Sequence, residues 1–73
     1  MFNFSAANDP KTQNLLNGIN IILKYQPSAK IQVWQDDTIS FGSYDTEQMT
    51  EEEVKKMNEW GWYGHNYSWR IWI

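Results

Sequence analysis

The chain of 73 residues contains no cysteine, two prolines and a single histidine. Without cysteine there is no disulfide framework, which small secreted domains usually need, so the composition favours an intracellular protein. The missing cysteines and the lone His65 also leave few of the side chains that bind zinc and other transition metals. We therefore expect neither a metal nor another cofactor.

Long apolar runs and catalytic motifs are absent as well. No apolar stretch approaches the roughly 20 residues that a membrane-spanning helix needs, and the first residues lack the basic and apolar regions of a signal peptide. There is no glycine-rich phosphate loop, nucleophile elbow or dinucleotide motif. His65 and the pair Asp36-Asp37 are better explained as turn residues than as parts of an active site. The sequence predicts a protein that is not an enzyme and has no membrane contact.

Basic residues are few, six against nine acids, for a net charge of −3. Eight of the nine acids fall within residues 36–59, beside only two of the bases. Nucleic-acid binders neutralise phosphates with lysine and arginine, so this acidic segment argues against such a partner and favours a protein with a basic surface. The acidic residues predicted to contact it are Asp36, Asp37, Asp45, Glu47, Glu51 and Glu52.

The first predicted helix begins at Pro10, with Asp9 as its N-cap, and ends before Pro27. Gly18 in its middle costs about 1 kcal/mol relative to alanine, which suggests that a neighbouring element approaches closely there. An apolar stripe at helical spacing predicts the buried face. It consists of Leu15, Leu16, Ile19, Ile22 and Leu23.

The second predicted helix has signals at both ends. Thr50 and Glu53 form a capping box, and Met49 with Val54 occupies the positions of a hydrophobic staple. Glycine is the preferred residue at the left-handed position just after a helix, so Gly61 predicts that the helix ends near Trp60.

Alternating apolar residues predict a hairpin between the helices. Ile31 and Val33 alternate over residues 30–35, and Ile39 and Phe41 alternate after Asp36-Asp37. A two-residue loop would place the two apolar pairs on opposite faces. A three-residue loop through Thr38, or an equivalent bulge, places them on one face, pairing Val33 with Phe41 and Gln35 with Ile39, and is therefore preferred.

A second hairpin is predicted after the second helix. A short strand at Trp62-Tyr63 should turn at Gly64-His65-Asn66 into a strand that alternates to the end of the chain. Tyr67, Trp69, Ile71 and Ile73 should face inward. The result is one α+β domain over residues 1–73, in the order α-β-β-α-β-β, with an antiparallel sheet and two helices on one face. Residues 1–8 form either a flexible arm or a short strand.

Aromatic residues make up 16% of the chain, including five tryptophans. Trp60, Trp62 and Trp69 are interpreted as core, because a domain this small needs large buried side chains. Trp34 and Trp72 lie opposite the apolar faces of their strands, and exposed clustered aromatics are typical of contact surfaces. We predict that these two bind a partner, unless the N-terminal residues Phe2 and Phe4 fold over them.

The last third of the chain resembles a group of small uncharacterised proteins encoded by bacteriophages and prophages. The residues that carry the resemblance are Met-Thr-Glu-Glu-Glu-Val at 49–54, Glu-Trp-Gly-Trp at 59–62, and Tyr67, Trp69 and Ile71 at alternate positions. The resemblance implies an early or accessory phage product, active in the bacterial host cytoplasm, that blocks a host protein as anti-CRISPR and anti-restriction proteins do. It assigns no functional residues.

Three functions follow from these observations. The first is a non-enzymatic protein-binding module, an inhibitor of a host protein that uses the acidic strip or the aromatic patch. The second is single-stranded nucleic-acid binding, with Trp34, Trp72 and Tyr63 as stacking platforms and Lys30 and Arg70 as cations. The third is a self-associating subunit with the aromatic face as a homodimer interface.

Overall fold

The computed structural model describes residues 9–72, so the predictions for residues 1–8 and for Ile73 lie outside the described part of the chain. Two helices and a four-stranded antiparallel sheet confirm the α+β class and the order α-β-β-α-β-β. The elements are α1 (Pro10–Tyr25), β1 (Ile31–Val33), β2 (Thr38–Ser43), α2 (Glu51–Glu59), β3 (Tyr63–His65) and β4 (Ser68–Trp72).

Both helices begin as the capping signals predict. At α1, the Asp9 side chain accepts from the Lys11 amide at 3.4 Å. At α2, the Glu53 amide donates to Thr50 Oγ1 at 3.1 Å, while the Thr50 amide donates to Glu53 Oε1 at 2.9 Å. After α2, Gly61 has a φ of +95°, which suits the left-handed position beyond a helix end.

The strands lie in the order β1-β2-β4-β3, and both helices pack on one side of the sheet, as predicted. We call this side the inner face and the opposite side the outer face. Ile39 and Phe41 of β2 and Trp69 and Ile71 of β4 point to the inner face, where they meet the helices. The buried core consists of Ile19, Ile22, Ile39, Phe41, Met49, Met57, Trp62, Trp69 and Ile71.

The close approach predicted at Gly18 is made by Trp62. A methyl group on Gly18 would lie only 1.9 Å from Trp62 Nε1, so the indole occupies the space that any side chain there would need. Trp62 Nε1 also donates to the carbonyl of Asn14 at 3.0 Å. This contact fixes the segment after α2 against the middle of α1.

The first hairpin has the predicted three-residue loop, but the predicted pairing is wrong by two residues. Val33 pairs with Ile39 and Ile31 with Phe41. The loop is 35–37, because Asp37 takes the left-handed conformation that closes such a turn, with a φ of +62°. Thr38 therefore starts β2 instead of ending the loop. Apolar residues of both strands still share the inner face, since a shift of two preserves the alternation.

The inner face is not covered at β1. Ile31 is 54% exposed and Val33 66% exposed, although both point to the side that holds the helices. Among residues 9–72 the core draws its strand residues from β2 and β4 only, so the helices lie over the centre of the sheet and leave β1 uncovered.

The second hairpin turns at Asn66-Tyr67, and the predicted turn at Gly64-His65-Asn66 is wrong. His65 pairs with Ser68, which extends β3 through the predicted turn. Both loop residues have positive φ, 50° and 62°, as a two-residue turn matching the strand twist requires. The predicted inward position of Tyr67 is also wrong, because in the turn its side chain is 93% exposed.

Candidate functional site

The structure brings together the two tryptophans predicted to bind a partner. The Trp34 amide donates to the Thr38 carbonyl at 2.9 Å, and Thr38 pairs with Trp72 on its other side. Both indoles are therefore on the outer face, separated by one threonine. Trp34 is 39% exposed and Trp72 is 60% exposed, whereas Thr38 between them is fully buried.

A polar row crosses the outer face beside the tryptophans. Cross-strand pairing aligns Gln32 with Ser40, Ser40 with Arg70, and Arg70 with Tyr63. The Trp34 ring extends over this row: its Nε1 donates to Ser40 Oγ at 3.0 Å, and the Arg70 guanidinium carbon lies 4.7 Å from the ring centroid. These two contacts hold the indole in one orientation.

The charged side chain of Arg70 is buried on the outer face. It is only 9% exposed, and its Nε has no hydrogen-bond partner. No carboxylate within residues 9–72 forms an ion pair with it. The Trp34 ring supplies a cation–π contact, but burying a cation without an acceptor remains costly.

The tip of the first hairpin borders the same surface. A shallow hollow beside the indole is lined by Val33, Trp34, Gln35 and Asp36. The Asp36 carboxylate accepts from Thr38 Oγ1 at 2.6 Å, which anchors the turn to the start of β2. Asp36 and Asp37 are exposed and add negative charge next to the aromatic rings.

The acidic residues predicted to contact a partner do not form one strip. Asp36 and Asp37 precede β2, whereas the other four follow its far end, so the two groups lie at opposite ends of that strand. In the second group Asp45 is half-buried and accepts from the Glu47 amide at 3.0 Å. Glu47, Glu51 and Glu52 are exposed.

Sequence reasoning missed the role of Glu53 beyond its helix cap. Its carboxylate accepts from the Tyr25 hydroxyl at 2.5 Å and from Lys24 Nζ at 3.0 Å, in addition to the Thr50 amide. The hydrogen bond from Tyr25 and then those from Thr50 and Lys24 lower the pKa of Glu53 to about 2. Because Tyr25 lies 28 residues away, no local pattern could have revealed the contact. Glu53 ties the end of α1 to the start of α2 and is occupied within the chain.

Residues 9–72 contain no group of three or more histidine, cysteine, aspartate or glutamate side chains arranged to hold a metal ion. Neither described helix is both long and apolar enough to span a bilayer. His65 is exposed on β3. Comparison of the chain with protein-family descriptions, curated proteins and solved structures finds no match.

Proposed function

We propose that this protein is a non-enzymatic protein-binding module and that the outer face around Trp34 and Trp72 is its contact surface. The observation that carries the proposal is the pair of exposed indoles flanking Thr38 on one side of the sheet. Tryptophan, tyrosine and arginine dominate binding energy at the centres of interfaces. A small monomeric domain rarely leaves two such rings exposed together without a use for them.

The chemistry of this face defines the partner. The exposed indoles suit apolar side chains on the partner. Asp36 and Asp37 border the face at the hairpin tip, where they suit basic residues at the rim of the partner's surface. The acids beyond the far end of β2 then contribute to steering more than to the contact itself.

The identity of the partner rests on the resemblance of residues 49–54 and 59–62 to phage proteins. On that basis the partner is a host defence protein, such as a component of a CRISPR or restriction system, and binding blocks it inside the bacterial cell.

The test is capture from a bacterial lysate by the immobilised chain, compared with matched variants. Trp72→Ala should weaken the affinity for the captured protein by about 2 kcal/mol, roughly thirtyfold, because a central indole is lost. Less of that protein should then be retained. Trp34→Ala should act in the same direction. Tyr67→Ala is the control, since Tyr67 is an exposed aromatic in the turn at the other end of β4.

The competing possibility is that the partner contacts the acidic residues at the start of α2 and not the indoles. If the double variant Glu51→Gln and Glu52→Gln abolishes capture while both tryptophan variants retain it, the contact lies at the start of α2. The proposal also fails if nothing is retained specifically in either low or moderate salt.

A second candidate function is single-stranded nucleic-acid binding, favoured by the stacking of Arg70 on Trp34 and by Tyr63 next to Arg70 on the same face. Bases stack on such rings with about 1–3 kcal/mol each. Addition of a mixed oligonucleotide at low salt should then quench tryptophan fluorescence. A flat titration rejects this candidate.

A further inference from the structure

The β1 strand ends the sheet with an uncovered edge. In the order β1-β2-β4-β3 it has β2 on one side, and no described strand lies on the other. All three of its residues are exposed. Natural edge strands are usually protected by charged side chains, proline, a bulge or a covering element. On β1 itself none of these is present: it reads Ile-Gln-Val, and the helices leave it bare.

The pairing with β2 determines which backbone groups the edge offers. Trp34 donates its amide to Thr38, so Trp34 is in a hydrogen-bonded pair of the hairpin. Antiparallel pairs alternate, so Gln32 also bonds to β2, whereas Ile31 and Val33 do not. The amides and carbonyls of Ile31 and Val33 therefore point outward. These are also the residues whose apolar side chains are uncovered.

We propose that β1 pairs antiparallel with β1 of a second copy of this chain, about a twofold axis at Gln32. In this register Ile31 of each copy is opposite Val33 of the other, and each such pair exchanges two hydrogen bonds. All four outward backbone groups on each side are used. Other registers leave at least one of the two outward residues facing a residue outside β1.

The side chains fit this arrangement on both faces. On the inner side, Ile31 and Val33 of the two copies cover one another, which buries the apolar surface that the helices leave exposed. On the outer side, the exposed Lys30 of each copy stands opposite Trp34 of the other and within reach of the acidic turn at Asp36. No like charges face each other. This complementarity of charge selects a second copy over an unrelated strand.

Such an interface is small, because each copy contributes a strand of three residues. Contacts of this size belong to the weak class, so association should occur at millimolar and high micromolar concentrations. The result is an eight-stranded sheet in which the two outer faces are continuous. The backbone pairing of β1 is independent of the partner proposed above, and Trp34 and Asp36 lie at the border between the two surfaces.

Amide hydrogen exchange of the unmodified chain tests the inference directly. At low micromolar concentration the Ile31 and Val33 amides should exchange as exposed groups, while the Gln32 amide is already protected by β2. Near millimolar concentration, Ile31 and Val33 should slow by about tenfold once nine-tenths of the chain is paired. Equal rates at both concentrations, or a sedimentation profile that is monomeric throughout, would overturn the inference.

Variants separate this edge from the aromatic face. Ile31→Pro removes an outward amide without touching the β1–β2 bonds, and proline is tolerated on edge strands for that reason. We expect it to weaken association by about tenfold or more, since each copy loses a hydrogen bond. Ile31→Val, which keeps the amide and a branched apolar side chain, should associate nearly normally. If Trp72→Ala abolishes association and Ile31→Pro does not, copies meet through the outer face and the edge pairing is wrong.

Discussion

Trp62 joins the two halves of the molecule at the scale of a single side chain. Its backbone leads from α2 towards β3, and its ring lies against Gly18 of α1. The indole is almost completely buried, and its Nε1 bonds to the Asn14 carbonyl. The glycine and the tryptophan therefore function as a pair, because neither position accepts a different volume unless the other changes.

We expect Gly18→Ala to destabilise the protein, against the usual trend for helices. Alanine in place of an interior helical glycine normally gains about 1 kcal/mol. Here the added methyl group would lie 1.9 Å from Trp62 Nε1, so the indole must move and its bond to Asn14 breaks. Overpacking of this kind outweighs the gain, for a net loss of about 1–3 kcal/mol. Urea unfolding followed by circular dichroism measures it.

Two further variants make this prediction specific. Asn20→Ala, at an exposed position of the same helix, should be neutral or slightly stabilising because it raises helix propensity without a clash. The double variant Gly18→Ala with Trp62→Phe should cost less than the sum of the two single changes, since the smaller ring makes room. A stable Gly18→Ala protein would show that the indole is not fixed against α1.

At the scale of elements, helices and strands were predictable because their signals are local. The capping box at Thr50 and the alternation in β2 and β4 each lie within a few residues. The turns were less predictable. Gly64 was expected in a turn, but it lies in β3, where the Tyr44 ring occupies the space that a side chain would need. Tyr44 and Gly64 are 20 positions apart, so the sequence alone could not show that Gly64 is needed for packing.

The Asn66-Tyr67 turn carries an avoidable strain, which gives a prediction for the second hairpin. Tyr67 holds a φ of +62° with its side chain 93% exposed, so the ring contributes little to offset the left-handed backbone. Tyr67→Gly would produce Asn-Gly, the preferred pair for this turn, and should stabilise the protein by about 1 kcal/mol. The midpoint of thermal unfolding would rise. Tyr67→Ala keeps the strained Cβ and should show no such gain; equal effects of both variants would refute the explanation.

At the scale of the whole molecule, the helices are held together by contacts that cannot be predicted from the sequence. The prediction placed both helices on one face, which is correct, and placed Trp34 and Trp72 on the other, where they are found. It did not show that the helices stop short of β1, because coverage depends on where α1 and α2 dock. Nor did it show that Glu53 fixes the docking through Tyr25 and Lys24.

The Glu53 cluster makes stability depend on pH in a defined direction. The pKa of Glu53 is lowered from 4.5 to about 2, chiefly by the Tyr25 hydroxyl, so its contribution is complete above the unfolded value and is lost as pH falls towards 2. The pKa values of Tyr25 and Lys24 are raised, mainly by hydrogen bonding to Glu53. Their contribution is complete below their unfolded values, 10.0 and 10.5, and is lost at higher pH.

We therefore expect Glu53→Gln to destabilise the protein at neutral pH and to matter less in acid. Glutamine still serves the capping box at Thr50, so the variant removes the charge while keeping the helix cap. The difference in unfolding free energy between wild type and variant should be largest near about pH 7 and shrink steadily from about pH 4.5 towards pH 2, where the wild-type carboxylate takes up its proton. Glu52→Gln removes the same charge from an exposed pair with Lys56 at 3.6 Å and should have a small effect at every pH. Urea unfolding across this range decides the matter: a difference for Glu53→Gln that stays constant into acid would mean that the carboxylate charge does not hold the helices together.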